Sequence, residues 1–189
     1  LYAYGGFQIN LTPGFNPSAL MFVEQGGIYC VANLRGGSEY GEEWHKAGML
    51  ENKQNVFDDF IAAAEYLIAG KYTSTDKLAI HGGSNGGLLV GAVMVQRPDL
   101  FGAVVCQVPL LDMRRYSKLL AGASWMAEYG DPDDPAQWAY ISKYSPYQNV
   151  KAGVKYAPVF FTTSTRDDRV HPGHARKMVE KMRGLGQDV

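Results

Sequence analysis

The sequence predicts an α/β fold: a doubly wound, mostly parallel sheet with helices on both faces. Short apolar runs alternate along the chain with segments of helical periodicity, which is the pattern of repeated strand–helix units. The 189 residues are 46% hydrophobic and 12% aromatic, so the chain can bury a substantial core. No linker, repeat or low-complexity tract divides it. We therefore expect one domain over residues 1–189, with its site at the carboxyl ends of the strands.

The predicted elements follow from apolar spacing and from breaker residues. Strands are expected at residues 27–33, 78–81, 103–108 and 159–163, and helices at residues 55–68, 85–96 and 174–183. The stretch between residues 108 and 159 gives no clear periodicity and is expected to be irregular. Residues 1–4 are typical of the tail of a strand, and residues 184–189 of a helix end leading into a new strand. The sheet is therefore expected to be incomplete at both ends.

Charge and composition exclude several classes of partner. The formal net charge is -1, and no long basic run is present, which argues against nucleic acid and against an anionic membrane surface. No apolar stretch approaches the length of a membrane span. No metal or cofactor is expected. Cys30 and Cys106 lie in apolar, strand-like runs and are expected to be buried free thiols, which favours a cytoplasmic protein and leaves the periplasm open.

The pentapeptide Gly82-Gly83-Ser84-Asn85-Gly86 matches the G-x-S-x-G pattern and lies between a predicted strand and a predicted helix. A sharp turn in that context requires small residues two positions before and two positions after the serine, as Gly82 and Gly86 provide. The turn raises the serine hydroxyl above the sheet and directs the helix N-terminus toward an oxyanion. An ordinary capping serine would not need this context. The motif therefore predicts an α/β-hydrolase fold with Ser84 as nucleophile.

In that fold the nucleophile is followed along the chain by an acid and then by a histidine. Asp167 and Asp168 both follow the predicted strand at residues 159–163, and the residues alone leave either as the acid. The histidines precede the acid or follow it too closely: His45, His81, His171 and His174. We therefore expect the catalytic histidine beyond Val189 and the 189-residue chain by itself to be inactive.

Longer strings in the sequence are more specific than the nucleophile elbow, the turn at residues 82–86 that carries Ser84. The chain contains Tyr4-Gly5-Gly6-Phe7, Asn33-Leu34-Arg35-Gly36-Gly37-Ser38-Glu39-Tyr40-Gly41, Trp44-His45-Lys46, and Asn52-Lys53-Gln54-Asn55 leading to Phe57-Asp58-Asp59-Phe60. Together they resemble the prolyl oligopeptidase (prolyl endopeptidase) family over nearly the whole chain. The resemblance implies a serine endopeptidase that cleaves short peptides on the carboxyl side of proline. It also implies a β-propeller domain in the same parent chain, for which no sequence is present here.

The resemblance assigns roles residue by residue. It makes Ser84 the nucleophile and Asp167 the acid, with the Tyr4 hydroxyl and the Asn85 backbone N–H as the oxyanion hole. Trp125 would stack on the proline ring, and Arg169 would bind a peptide carbonyl through its fork of donors. The remaining walls of the proline pocket would be Phe7, Leu110, Tyr129 and Val170. Without the resemblance, Trp125 would be interpreted as an ordinary core residue.

Two alternatives remain open at this stage. One is an enzyme of the same fold with another specificity, either a carboxylesterase or a sister oligopeptidase that prefers basic residues. The apolar character of Phe7, Trp125 and Val170 argues against a basic preference. The other is a non-catalytic, hydrolase-like binding module, which the lack of a well-placed histidine favours.

Overall fold

The computed structural model describes residues 1–189 and contains a three-stranded parallel sheet. Its strands are β1 (Ala79–Gly83), β2 (Ala103–Gln107) and β3 (Val159–Thr162), in the order β1-β2-β3. Ala79 lies opposite Ala103, and Val104 lies opposite Val159. Parallel neighbours need crossover connections, which the helical segments between the strands provide. The predicted α/β class and parallel sheet are confirmed.

Two further extended segments lie on the β1 side of the sheet without forming a ladder, and only the one at Tyr2 is next to β1. Tyr2 makes single parallel bridges to Val31 and to His81, and the Tyr2 N–H donates to the Cys30 carbonyl at 2.8 Å. The predicted strand at residues 27–33 is therefore wrong in extent, since only Val31 is bridged. This segment has a partner on one side only, and Val31 is more than half exposed.

The chain forms eight α-helices. They are α1 (Pro17–Glu24), α2 (Glu42–Lys46), α3 (Gln54–Ala69), α4 (Asn85–Gln96), α5 (Met126–Tyr129), α6 (Pro135–Tyr144), α7 (Pro146–Asn149) and α8 (Gly173–Gly184). The predicted helix at residues 85–96 is confirmed at both ends, and α3 and α8 each extend one residue beyond the prediction at each end. The expectation of an irregular stretch between residues 108 and 159 is wrong, because α5, α6 and α7 lie within it.

Burial alternates along the strands and distinguishes the two faces of the sheet. Ile80, Val104 and Val159 point into the core, where α4 packs on β1 and β2 and α3 packs on α4. On the second face Phe160 is 65% exposed. Helix α1 borders this face next to β1 and has no buried residue. The second face is therefore only partly covered by helix.

The structure also addresses the expectations about the cysteines, membrane spans and metal sites. Both cysteines are free. Cys106 is buried, with its thiol 3.4 Å from the Gly87 carbonyl, whereas Cys30 is only half-buried because it lies in the edge segment. None of the helices is both long enough and apolar enough to cross a membrane. No group of three or more His, Cys, Asp or Glu side chains could hold a metal ion.

Candidate active site

Ser84 lies at the sharp turn between β1 and α4. Its backbone has φ 57° and ψ -116°, a left-handed conformation that is strained for a residue with a side chain. The Ser84 N–H donates to the Gln107 carbonyl at 2.9 Å, which ties the turn to β2. A Cβ atom on Gly82 would lie 2.1 Å from the Gly86 carbonyl oxygen, so this turn requires glycine at position 82. The turn has the geometry that the motif predicts.

The side chain of Asn85 joins three parts of the site. Its Nδ2 donates to the Tyr4 carbonyl at 2.6 Å, and its Oδ1 accepts from the Tyr129 hydroxyl at 2.7 Å. Asn85 is also the first residue of α4, where backbone N–H groups have no intrahelical acceptor. Its N–H therefore points out of the helix start beside Ser84, as an oxyanion donor would.

The Tyr4 phenol lies near the Ser84 hydroxyl, and both line the same cavity. Burial raises the pKa of Tyr4, while the Ser84 hydroxyl and the charge of Arg169 act in the opposite direction. Because the net shift is upward from an already high value, Tyr4 stays protonated at neutral pH. The phenol is thus a hydrogen-bond donor and not an anion.

A cavity of about 200 Å³ opens beside Ser84. Its lining residues are Tyr4, Phe7, Ile9, Ser84, Leu110, Trp125, Tyr129 and Arg169. All of these except Ile9 were predicted from the sequence. Trp125 is half-buried at the cavity wall, so it is not simply a core residue. Ile9 was missed because no sequence motif marks it; it follows a turn in which Phe7 and Gln8 have positive φ and the Ile9 N–H donates to the Gly6 carbonyl at 3.0 Å.

The other predicted residues lie behind or beside this cavity. Val170 is buried and does not line it. The Asp167 Oδ1 accepts from the backbone N–H groups of Arg169 at 3.0 Å and Val170 at 2.9 Å, and its Oδ2 has no partner within the chain. The neighbouring Asp168 is exposed and makes no side-chain hydrogen bond. The loop after β3 therefore orients Asp167 and leaves Asp168 in solvent.

No histidine of the chain is hydrogen-bonded to Ser84 or to Asp167. His45 Nε2 lies 2.8 Å from Glu128 Oε2, His81 Nε2 lies 2.7 Å from Gln107 Oε1, His171 Nδ1 accepts from the Gly173 N–H, and His174 Nδ1 accepts from the N–H groups of Leu111 and Asp112. Each imidazole is therefore engaged elsewhere.

A buried ion pair that the sequence did not predict lies behind the cavity. The Lys53 ammonium donates to Glu128 Oε1 at 3.1 Å, and the two residues are only 1% and 4% exposed. Lys53 lies inside one of the family-like strings and Glu128 precedes Tyr129, but they are 75 positions apart. No local pattern pairs residues at that separation.

The parallel sheet and the strained serine at the start of α4 define the chain as an α/β hydrolase. A family model described as the prolyl oligopeptidase family, of the peptidase S9 type, matches residues 13–189. The chain therefore belongs to the prolyl oligopeptidase family, as the sequence resemblance predicted.

Relatives agree with this assignment. The prolyl endopeptidase of Elizabethkingia miricola is 52% identical over 178 residues, which is 94% of this chain and 25% of that protein. An uncharacterized peptidase of Sinorhizobium fredii is 57% identical over 98% of this chain and 26% of its own length. A solved post-proline cleaving enzyme of Rickettsia typhi has a TM-score of 0.95 at 45% identity, covering 99% of this chain and 27% of that one. The chain thus spans about a quarter of the length of the relatives it matches.

Proposed function

We propose that the chain supplies the nucleophile, acid, oxyanion donors and specificity pocket of a serine endopeptidase that cleaves short peptides on the carboxyl side of proline. The observation that carries this proposal is the cavity that brings Ser84 and the Tyr4 phenol to an apolar slot with Arg169 at its wall. Family membership supports a peptidase. The shape and chemistry of the slot support the preference for proline.

In the proposed reaction the Ser84 oxygen attacks the carbonyl carbon that follows proline's α-carbon, and a base removes the hydroxyl proton. The Tyr4 hydroxyl and the Asn85 N–H bind the oxyanion that develops. Collapse of this intermediate breaks the C–N bond, the amine leaves with a proton, and an acyl-enzyme remains for water to hydrolyse. The strained elbow and the start of α4 hold the donors in place before substrate arrives.

The proposed acid is Asp167, because its free Oδ2 can accept from an imidazole while Oδ1 is held by the loop. Ser84 and Asp167 follow β1 and β3, two strand spacings apart, which is roughly 10 Å and leaves room for a bridging ring. Every histidine of the chain is engaged elsewhere. We therefore assign the base to polypeptide outside these 189 residues, and expect the chain alone to be inactive.

The pocket suits a proline ring, which offers a flat apolar surface and no donor. Phe7 and Tyr129 pack edge to face, with centroids 5.5 Å apart and an 82° angle, and the Trp125 indole provides the surface for stacking. No acidic residue lines the cavity, which argues against a preference for basic substrates. Arg169 has no acidic partner within 4 Å and is free to bind a peptide carbonyl. A β-propeller elsewhere in the parent chain would limit peptide length, in line with the greater length of the relatives.

The test uses the complete reading frame that contains these residues, assayed with matched chromogenic peptides that carry proline or alanine before the cleaved bond. Ser84→Ala should lower turnover on the order of 10⁶-fold with the fold retained, since the catalytic groups act as a unit. Near-normal turnover in this variant would remove Ser84 from the mechanism.

Specificity is tested with Trp125→Ala on the same two substrates. The variant should lose about 1 to 3 kcal/mol of transition-state binding for the proline peptide, the range for a well-fitted apolar contact, and less for the alanine peptide. Equal losses would show that Trp125 acts only as packing and would favour a different specificity.

A further inference from the structure

The buried Lys53–Glu128 pair contacts the backbone of the loop at residues 4–8, which carries the cavity residues Tyr4 and Phe7. Lys53 Nζ donates to the Gly5 carbonyl at 3.0 Å, and Glu128 Oε1 accepts from the Phe7 N–H at 3.1 Å. These two backbone groups flank Gly6, between Tyr4 and Phe7. Neither Lys53 nor Glu128 lines the cavity, so the pair holds this loop from behind the cavity wall.

This loop requires outside support, because its backbone is strained. Phe7 and Gln8 have φ values of 56° and 58°, and residues with side chains keep such a conformation only where their surroundings impose it. A Cβ on Gly6 would lie 2.6 Å from the Asn85 amide and 2.9 Å from Lys53 Nζ, so the loop is also closely enclosed. Burial lowers the pKa of Lys53, and the charge of Glu128 opposes that shift.

Glu128 belongs to the opposite wall of the cavity. It lies in α5, directly before Tyr129 and three positions after Trp125. Its second oxygen, Oε2, is held by His45 Nε2 at 2.8 Å, so the carboxylate is fixed on both sides. Glu128 thus joins the wall formed by Trp125 and Tyr129 to the loop that carries Tyr4 and Phe7.

We propose that Glu128, with Lys53 as its counter-ion, is a positioning residue for the reaction. It holds the Phe7 amide so that the Tyr4 hydroxyl and the Phe7 ring keep their places relative to Ser84 and the pocket wall. This inference rests on the proposed function of Ser84 and Tyr4. A buried ion pair is often no more stabilising than apolar residues of similar size, so a role in geometry explains its presence better than a role in stability.

The test compares two neutral replacements in a background that lacks the lysine charge. Lys53→Met removes the cation that either replacement would leave unpaired. In this background, Glu128→Gln retains an oxygen that can accept from the Phe7 N–H, whereas Glu128→Leu has no acceptor and is of similar size. The two double variants are made in the complete reading frame. They differ in the hydrogen bonds to the Phe7 N–H and to His45 Nε2, and exchange of the Phe7 amide, described below, reports on the first of these.

We expect the leucine variant to fall about 10²-fold below the glutamine variant in kcat/KM for the proline peptide, the loss that a 1 Å displacement causes. Inhibitors separate geometry from general packing. A peptide ending in prolinal forms an adduct with Ser84 whose oxygen occupies the oxyanion site, and the matching prolinol does not. The affinity ratio of prolinal to prolinol should fall at least tenfold in the leucine variant, at temperatures well below unfolding.

Hydrogen exchange of the Phe7 amide gives a readout that does not depend on activity. We expect at least tenfold faster exchange in the leucine variant than in the glutamine variant. Equal exchange rates, or equal kcat/KM values and inhibitor ratios for the two, would overturn the positioning role. A parent protein that neither cleaves after proline nor binds prolinal would instead refute the proposed function, and the exchange rates would still decide whether Glu128 holds the loop.

Discussion

At the scale of single residues, two adjacent aspartates in the loop after β3 have different surroundings. Asp167 turns back onto its own loop and accepts two backbone N–H groups, while Asp168 points into solvent without a partner. Two such bonds hold a carboxylate in one rotamer, which a group that orients an imidazole requires. The same side-chain chemistry therefore supports different roles one position apart.

We expect Asp167→Asn to lower turnover of the complete protein by roughly 10⁴-fold, because an amide favours the wrong imidazole tautomer. Asp168→Asn is the matched control and should cost less than about tenfold, as expected for a solvent-exposed carboxylate. Steady-state kinetics on the proline peptide compare the two. A larger loss at position 168 would reverse the assignment of the acid.

At the scale of secondary-structure elements, α8 is anchored to the loop after β2 by a neutral imidazole. His174 is 2% exposed, and its Nδ1 accepts from the Leu111 N–H at 3.2 Å and the Asp112 N–H at 3.1 Å. Burial lowers the pKa of His174 from 6.5 to about 4, with a smaller opposing effect from the charge of Asp112. Protonation would remove the acceptor that joins the two elements.

This arrangement predicts a pH dependence of the free energy of unfolding. The unfolded histidine takes up a proton as the pH falls below about 6.5, whereas the folded one stays neutral down to about 4. The contribution of His174 to the free energy of unfolding is therefore full above about pH 6.5. It falls by up to about 3 kcal/mol as the pH approaches 4.

Urea denaturation of the 189-residue chain at several pH values measures this effect. In His174→Asn, whose Oδ1 can also accept, the loss of stability across this pH window should be smaller than in the parent by up to the same amount. An unchanged pH profile in the variant would assign the effect to other groups.

At the scale of the whole molecule, the two faces of the sheet differ in exposure. The Phe160 side chain is 65% exposed, while its neighbour Val159 is 5% exposed on the opposite face. A cavity of about 530 Å³ lies along the open face, between β1 and α1. Exposed apolar side chains on an open sheet face favour association with other polypeptide.

We expect Phe160→Lys to lower self-association of the 189-residue chain while changing its unfolding free energy by less than about 1 kcal/mol, because an exposed lysine stays hydrated. Val159→Lys should lose several kcal/mol, since it places an unpaired charge in the core. Sedimentation and urea denaturation measure the two effects. Undiminished association of Phe160→Lys would show that the open face does not cause it.

Part of the fold and the site follows from local sequence signals. The elbow, α3, α4, α8 and the central strands have dense signals within a few residues: glycines around Ser84, apolar spacing, and Pro98 after α4. Helix α6 has a local start signal as well, because Asp134 caps its first turn and Pro135 follows. The helix was not predicted, because the stretch around it shows no clear apolar periodicity. The family resemblance added the pocket residues, and all of these except Val170 line the cavity.

By itself, the sequence determined the α/β class, the nucleophile elbow and the family, because each depends on residues near one another in the chain. Only the tertiary structure decided which aspartate is held by its loop, how far the edge segment at residues 27–33 pairs, and which face of the sheet stays open. It also decided that Glu128 meets Lys53 and the Phe7 amide across 75 and 121 positions. Such contacts depend on packing between distant segments, and local propensity carries no information about them.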